Sequence, residues 1–389
     1  MSTGPEPALL RGMTWDHPRG YDPLIACSAL WRERTGVRIE WERRSLQDFE
    51  SFPVARLAER YDLIVIDHPH VGQITRLRCL APLGSDTDAA CLEKEYVGAS
   101  LPSYVWEGTL WALPIDAAAQ VQAWRPDRLA HPPATWAAML ELAAAGAVLC
   151  PLRPPHDLMA LFTLCGLLGS PGRVDGPDLI APATAGIAYE LLRELSGLID
   201  PACLGMDPIA VLERMSEPES GCVSSPLIYG YVSYSGRGSS AHAPGVSSSP
   251  RARVAFGDLL HLVPGAARRG SALGGTGIAV AASSPHRDAA IGFARWVAGP
   301  EAQCGPYVQA GGQPASRAAW EDVAANEASL DFYRNTRATL ESAWLRPRHA
   351  GYMRFQRAAS ARLREALESA EPARSAIAAI NRLYQDVHR

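Results

Sequence analysis

The first seventy residues of the chain alternate extended and helical segments. The stretch LLRGMTW (9–15) predicts a strand, and apolar residues at helical spacing between Asp22 and Gly36 predict a helix. The segment VRIEW (37–41) alternates like a second strand, and DLIVID (62–67) is a continuous apolar run. Such a run is typical of a parallel strand buried on both faces, so this region predicts a β-α-β unit in an α/β fold.

The chain is too long for one ordinary hydrophobic core. Its 389 residues, 47% hydrophobic and 20% charged, fit a globular protein with two domains. The segment LWALPID (110–116) leads into AAAQVQAW as though the chain crosses from one lobe to the other. We predict that residues 1–115 and 256–315 form the first lobe. Residues 116–255 form the second lobe, and residues 316–389 complete it with helices and hinge packing.

Composition and charge argue against several classes of partner. The net charge is −4 and the basic residues are scattered, which disfavours nucleic acid and anionic membrane. No run of about 18 apolar residues predicts membrane insertion. The chain begins without a basic stretch and an apolar core, so we expect a cytoplasmic protein, or a periplasmic or extracellular one if a leader was removed. Eight cysteines without CxxC or short disulfide spacings agree with a reducing compartment.

The turn TWDHPRG follows the first predicted strand. Ligands of open α/β sheets bind beyond the carboxyl ends of strands, so Trp15, Asp16 and Arg19 are candidate ligand-binding residues. Trp15 offers a stacking surface, and Arg19 offers a fork for a carboxylate or phosphate. Structural roles remain open: Trp15 as a strand-end residue, Asp16 and His17 as helix-entry residues, and Arg19 as a salt-bridge partner of Asp16 or Asp22.

The segment DHPHVG follows the buried strand of residues 62–67. An aspartate beside a histidine can orient and charge the imidazole, so Asp67 and His68 form the best acid–base pair if the protein is an enzyme, with His17 as a further candidate. A metal site of His17, His68 and His70 is disfavoured, because Pro69 distorts the spacing and no cysteine supports it. We expect neither a metal nor a cofactor.

Two further segments supply candidate ligand contacts near the predicted crossover. Asp116 can accept hydrogen bonds from ligand hydroxyl groups or act as a carboxylate partner of His68, or it can cap backbone amides at the hinge. The segment PLIYGYVSYS (226–235) predicts a strand on which Tyr229 and Tyr231 share one face and Tyr234 takes the other. We expect at least one tyrosine to reach the ligand, and we select Tyr231.

The segment GGTG (274–277) carries no nucleotide-binding fingerprint. Gly275 allows the backbone to approach a ligand closely and Thr276 adds a hydroxyl group, although a tight structural turn explains the sequence equally well. In WLRPRHAGY, one arginine is expected to enter the cleft as an anion clamp while the other braces the hinge. We select Arg346 for the cleft, which leaves Arg348 for the hinge.

Several segments together resemble a known family of proteins. In order they are LWALPIDAAAQVQAWRPDRL, PATWAAMLELA, PLIYGYVSYS, ALGGTGIAVAASSPHRDAAIGFARWVAGPEAQ, GGQPASRAAWED and WLRPRHAGYMRFQ. Their order and spacing, from about residue 9 to residue 386, resemble the extracellular solute-binding proteins of ABC importers, family 1. The resemblance implies a periplasmic-binding-protein-like fold with two α/β lobes, several hinge crossings and a ligand clamped in the cleft. It implies an ABC permease as partner only if the chain is exported, and a monomer suffices.

The function expected from the sequence is the clamping of a small metabolite between two lobes. Histidines and arginines near the cleft favour an acidic or aromatic ligand. The alternative is a cytoplasmic enzyme on the same fold, a lyase, decarboxylase, isomerase or hydrolase that uses His68 and Asp67 on a small acid. A regulatory module that passes closure to a partner is a third class. Binding is favoured over catalysis by the resemblance and by the lack of GxSxG or HExxH motifs.

Overall fold

The computed structural model describes residues 8–46, 54–174, 176–236, 251–262 and 270–388. Within these ranges, seven strands form one curled sheet and three short strands form a second, smaller one. The strands, in chain order, are β1 (Leu9–Trp15), β2 (Arg38–Arg44), β3 (Leu63–Asp67), β4 (Gly84–Ser85), β5 (Val105–Trp106), β6 (Thr109–Leu110), β7 (Leu113–Trp124), β8 (Ser224–Tyr229), β9 (Ala255–Gly257) and β10 (Leu273–Val280).

Helices surround the large sheet and dominate the last third of the chain. None in the described ranges is long and apolar enough to cross a membrane. They are α1 (Pro18–Thr35), α2 (Val54–Ala58), α3 (Val71–Leu77), α4 (Asp86–Leu92), α5 (Trp136–Ala144), α6 (His156–Leu167), α7 (Pro182–Leu198), α8 (Pro208–Ser216), α9 (Arg287–Ala298), α10 (Pro300–Ala302), α11 (Arg317–Glu321), α12 (Val323–Ala328), α13 (Phe332–Glu341), α14 (Tyr352–Glu368) and α15 (Ala373–His388).

The β-α-β prediction for the first seventy residues is confirmed. Strand β1 pairs in parallel with both β2 and β3, and α1 connects β1 to β2. The helix ends at Gly36 in the left-handed conformation, as the sequence indicated. It begins at Pro18 rather than Asp22, because the side chain of His17 caps its first turn. The turn after β1 is therefore shorter than the sequence suggested.

Strand β7 connects two parts of the sheet. Its first half pairs antiparallel with β10, and its second half pairs with β8 and β9. The register with β10 shifts between Thr276 and Gly277. Thr276 pairs with Asp116 and Gly277 pairs with Pro114, so Ile115 is an extra residue in β7. An extra residue of this kind changes the direction of the neighbouring side chain. The α/β fold with two lobes agrees with the sequence prediction, whereas the division of the chain between the lobes at residues 115, 255 and 315 stays a prediction.

Four helices, α6, α7, α14 and α15, pack against one another as a group. Helix α14 packs against α15 and α6, and α7 packs against α6 and α15. Thr135 and Asp207 cap α5 and α8, since their side chains accept hydrogen bonds from the amides of Ala138 and Ala210. The tyrosine-rich segment is strand only as far as Tyr229. A 3-10 turn follows, so the predicted alternation of faces ends there.

Candidate functional site

A pocket opens where the carboxyl ends of β1 and β3 face helices α6 and α14. It contains about 710 Å³ of space that is not occupied by atoms, part of which is open to solvent. Eight residues that the sequence singled out line it: Trp15, Arg19, Asp67, Asp116, Tyr231, Gly275, Thr276 and Arg346. The sequence pattern therefore identified one continuous surface, although its members come from six separate parts of the chain.

Three side chains from neighbouring strands form the floor of the pocket. Thr276 on β10 pairs with Asp67 on β3 at one side and with Asp116 on β7 at the other. Residues that are directly opposite in antiparallel strands project from the same face, with β-carbons about 5 Å apart. The floor is therefore a row in which a hydroxyl group lies between two carboxylates.

Arg19 covers the Asp116 end of this row. Its Nε donates to Asp116 Oδ2 at 2.7 Å, and its Nη2 donates to the other carboxylate oxygen. Nη1 donates to the carbonyl oxygen of Gly230 at 2.8 Å, and the guanidinium lies 4.4 Å from the centre of the Tyr231 ring. Burial by itself would lower the pKa of Arg19, but the charge and hydrogen bonds of Asp116 raise it. Burial also raises the pKa of Asp116, and the charge and hydrogen bonds of Arg19 oppose that rise. Because the guanidinium donates to both carboxylate oxygens, the contact has the geometry of an ionised pair, which is electrically neutral as a unit.

Arg346 covers the Asp67 end of the row. Its Nη2 donates to both carboxylate oxygens of Asp67, at 2.9 and 2.8 Å, and its Nη1 donates to Gln356 Oε1 at 3.1 Å. Burial favours the neutral form of Asp67, but Arg346 and His68 outweigh it and hold the pKa of that carboxyl well below its usual range. Arg348 donates to backbone carbonyls at Pro102 and Val105 instead, away from the pocket lining.

Aromatic rings form two walls of the pocket, and glycines set their positions. A β-carbon at Gly20 would lie 2.4 Å from the Trp15 ring, so the indole lies against the bare backbone of α1. Similarly, a β-carbon at Gly274 would lie 2.6 Å from the ring of Tyr229. Because each ring is held from behind, a face or edge remains directed at the ligand space.

Asp16 and His17 lie outside the pocket lining. The Nδ1 of His17 accepts from the Arg19 amide at 3.1 Å, and its ring lies 5.0 Å from that of Tyr231. Burial, helped by the charge of Arg19, lowers the pKa of His17 to about 3. Asp16 is 3.2 Å from Arg43. His17 thus has the helix-entry role that the sequence left open, because α1 starts directly after it, whereas the side chain of Asp16 pairs with Arg43.

His68 also lies outside the pocket lining, although its neighbour Asp67 belongs to it. His68 is the first residue of a 3-10 turn, and its ring is 6.5 Å from that of Tyr104. Its Nδ1 is 3.2 Å from Asp67 Oδ1, and burial lowers its pKa to about 4. Within the described part of the chain, no group of three or more His, Cys, Asp or Glu side chains is arranged to hold a metal ion.

Several pocket residues were not selected from the sequence. His156 and Met159 come from the first turn of α6, Gln356 from α14, and Tyr229 from the end of β8. The rings of His156 and Tyr229 are 6.1 Å apart, and burial lowers the pKa of His156 to about 4. The only sequence signal for these residues was the PPH turn before α6. Residues on helices that pack across a cleft cannot be found by searching the ends of the strands.

Comparison with known proteins finds matches at the level of structure. No protein-family model and no curated protein sequence matches the chain. Maltose-bound MalE3 of T. maritima is 16% identical with a TM-score of 0.81, over 96% of this chain and 98% of that one. An ABC transporter solute-binding protein of Agrobacterium radiobacter in complex with ribitol is 17% identical, with a TM-score of 0.76 over 98% and 100%.

A third similar structure is the GacH receptor of Streptomyces glaucescens, solved in the unliganded form and with acarbose. It is 15% identical to this chain, with a TM-score of 0.76 over 98% of both chains. At such low identity the likeness concerns the arrangement of the backbone and not the chemistry of the site. The chain has the two-lobed α/β fold of the extracellular solute-binding proteins, family 1, of ABC importers.

Proposed function

We propose that the protein binds a neutral, polyhydroxylated small molecule, a sugar or a polyol, in the pocket between its lobes. The observation that carries this proposal is the neutral charge balance of the pocket. Arg19 is paired with Asp116, and Arg346 is paired with Asp67, each through two or more hydrogen bonds. Neither guanidinium is available to neutralise a ligand charge without losing its aspartate.

This charge balance changes the ligand class expected from the sequence. The expectation of an acidic or aromatic ligand requires arginines and histidines whose positive charges are free to meet the ligand. His17 and His156, whose pKa values burial lowers to about 3 and about 4, are neutral near pH 7. The solved structures of similar fold contain maltose, ribitol and acarbose, which supports a neutral ligand here.

The remaining pocket groups are suited to hydroxyl groups and to apolar ring faces. Carboxylate oxygens of Asp67 and Asp116 can accept further hydrogen bonds beyond those from the arginines, because each carboxylate has about four acceptor positions. Trp15 and Tyr229 present aromatic surface on which the C–H face of a sugar ring can stack. Closure of the lobes over such a ligand would make the protein a receptor for an ABC permease, and the cytoplasmic placement stays a separate prediction.

The catalytic alternative receives no support from the geometry. Asp67 is held by Arg346, and His68 lies outside the pocket lining, so this pair does not present a proton to a bound solute. The pKa of His68, at about 4, also leaves it unable to gain a proton near pH 7. We therefore advance one function.

The test is titration calorimetry of the purified protein with a panel of ligands. Maltose, ribitol and acarbose represent neutral compounds, and gluconate, succinate and phenylacetate represent acids. We expect saturable binding of at least one neutral compound at a stoichiometry of one, with loss of binding in Trp15→Ala. Binding of acids alone would refute the proposal. Mass spectrometry of the mixture provides the second check, since conversion of far more compound than protein would identify an enzyme.

A further inference from the structure

We propose that the hydroxyl group of Thr276 and the Nε of Arg346 together form a subsite for one free hydroxyl group of the ligand. This inference rests on the proposed function and extends it by naming the groups that select among neutral ligands. The subsite would reject derivatives in which that hydroxyl group is removed or converted to an ether. It makes Thr276 a specificity-determining residue of the pocket.

The first observation is an unused polar atom in the floor. The side chain of Thr276 lines the pocket and is only 8% exposed. Its Oγ1 has no hydrogen-bond partner among the residues that the structure describes. Buried polar side-chain atoms nearly always have a partner, and a buried atom without one costs about 1–3 kcal/mol. An atom that faces a pocket in this condition indicates a ligand atom.

The backbone around Thr276 fixes the direction of its side chain. Gly275 has φ of 94°, and a β-carbon there would lie 2.4 Å from the carbonyl oxygen of Asp116. Strand β10 is therefore pressed against β7 at this point, and its register with β3 is continuous. Because Thr276 pairs on both sides, its side chain must remain on the pocket face with Asp67 and Asp116.

The second observation is an unused donor on Arg346. Its Nη1 and Nη2 are occupied by Gln356 and Asp67, whereas its buried Nε has no hydrogen-bond partner within the described ranges. Arg346 is bound to Asp67, and Asp67 is the cross-strand neighbour of Thr276. The guanidinium therefore lies at the Asp67 end of the floor, on the side of Thr276 that faces Asp67. A guanidinium nitrogen only donates, so the ligand atom that meets it must accept.

The chemistry of the surrounding groups restricts that ligand atom to a hydroxyl oxygen. A hydroxyl group can accept from Arg346 Nε and donate to Thr276 Oγ1 or to a carboxylate of the floor. An ether or carboxylate oxygen could accept from Arg346 Nε and from the Thr276 hydroxyl group, but it has no hydrogen to donate to Asp67 or Asp116, whose lone pairs it would face. A methyl or methylene group would leave both buried protein atoms unpaired.

The experiment compares the wild-type protein with Thr276→Val and Thr276→Ser by titration calorimetry. Valine preserves the shape of the side chain and removes the hydroxyl group, whereas serine keeps the hydroxyl group and serves as the matched control. The probes are ribitol and maltose, followed by the monodeoxy and mono-O-methyl derivatives of the one that binds. Circular dichroism and the melting temperature verify that each variant is folded.

We expect Thr276→Val to weaken binding about tenfold and Thr276→Ser to remain within about threefold of wild type. One monodeoxy derivative should lose more affinity for the wild-type protein than for Thr276→Val, because the variant has already lost one of the two hydrogen bonds of that hydroxyl group and keeps only the one from Arg346. Unchanged affinity in Thr276→Val, or equal losses for every derivative in both proteins, overturns the inference while leaving the proposed function intact. Failure of the wild-type protein to bind any neutral compound overturns both.

Discussion

The ion pair between Arg19 and Asp116 allows a quantitative test of how the pocket is built. The side chains are 4% and 0% exposed, so both charges are held away from water. We consider Arg19→Met and Asp116→Leu, each alone and then combined. Each single substitution leaves one buried charge without its partner, whereas the double substitution removes both charges and leaves an apolar contact.

The expected magnitude follows from the geometry of the pair. Two unit charges about 4 Å apart attract by about 4 kcal/mol at an effective dielectric constant of about 20. Breaking a buried pair from one side typically costs about 3–5 kcal/mol, because the remaining charge keeps its desolvation penalty. We therefore expect each single variant to lose about 3–5 kcal/mol of unfolding free energy, and the double variant to lose less than either.

Urea unfolding followed by tryptophan fluorescence measures these free energies, with the slope of the transition verifying that the same surface is exposed in all four proteins. The interaction energy is taken from the double-mutant cycle. Losses below about 1 kcal/mol in both single variants would show that the pair is hydrated. A double variant that loses the sum of the two single losses would show that the residues are independent. Either result would also remove the argument for a neutral pocket.

Three further predictions concern the ring support, a buried carboxyl and the histidine beside the pocket. Gly20→Val should displace the Trp15 indole, since even a β-carbon would lie 2.4 Å from the ring. We expect at least a tenfold loss of sugar affinity in calorimetry. Unchanged affinity would show that the Trp15 ring does not contact the ligand. Burial raises the pKa of Asp157 from 3.8 to about 7, opposed by its hydrogen bond from Ser360, so the contribution of this one carboxyl to stability should fall by up to about 4 kcal/mol as the pH rises from about 4 to about 7. Asp157→Asn should remove this contribution, so that in urea unfolding the stability of the variant relative to the wild type rises between about pH 4 and about pH 7; a difference that does not change with pH would contradict the raised pKa. His68→Ala should lower the melting temperature while leaving ligand affinity within about threefold, because His68 packs outside the pocket; a loss of binding without a loss of stability would place it in the site.

Local features of the fold could be predicted from the sequence. The strand of residues 9–15 and the end of the first helix at Gly36 agree with the structure. Each depends on residues within about four positions along the chain, where periodicity and side-chain capping act directly. The parallel pairing of β1 and β3 followed from the same short-range pattern, because a strand buried on both faces needs helices to cover it.

The sequence predicted the residues that line the pocket better than it predicted how their charges are paired. The strand-end rule located Trp15 and Asp67 in one place, since the carboxyl ends of adjacent parallel strands meet at one edge. The same rule failed for Asp16 and His17, which lie outside the pocket lining. The side chain of His17 caps α1, and the side chain of Asp16 contacts Arg43. A short polar turn carries the same residues whether it binds a ligand or caps a helix.

The pairing of charges was decided only by tertiary structure. The sequence offered Asp16 or Asp22 as partners of Arg19, yet its partner is Asp116, 97 positions away. Arg346 and Asp67 are separated by 279 positions. Local patterns predict elements because backbone geometry is set by near neighbours, whereas a charge takes whichever opposite charge the packing of distant strands and helices buries beside it. The sequence by itself determined the α/β elements and most of the residues that line the pocket; the tertiary structure decided that the two arginines of the pocket are paired with Asp116 and Asp67.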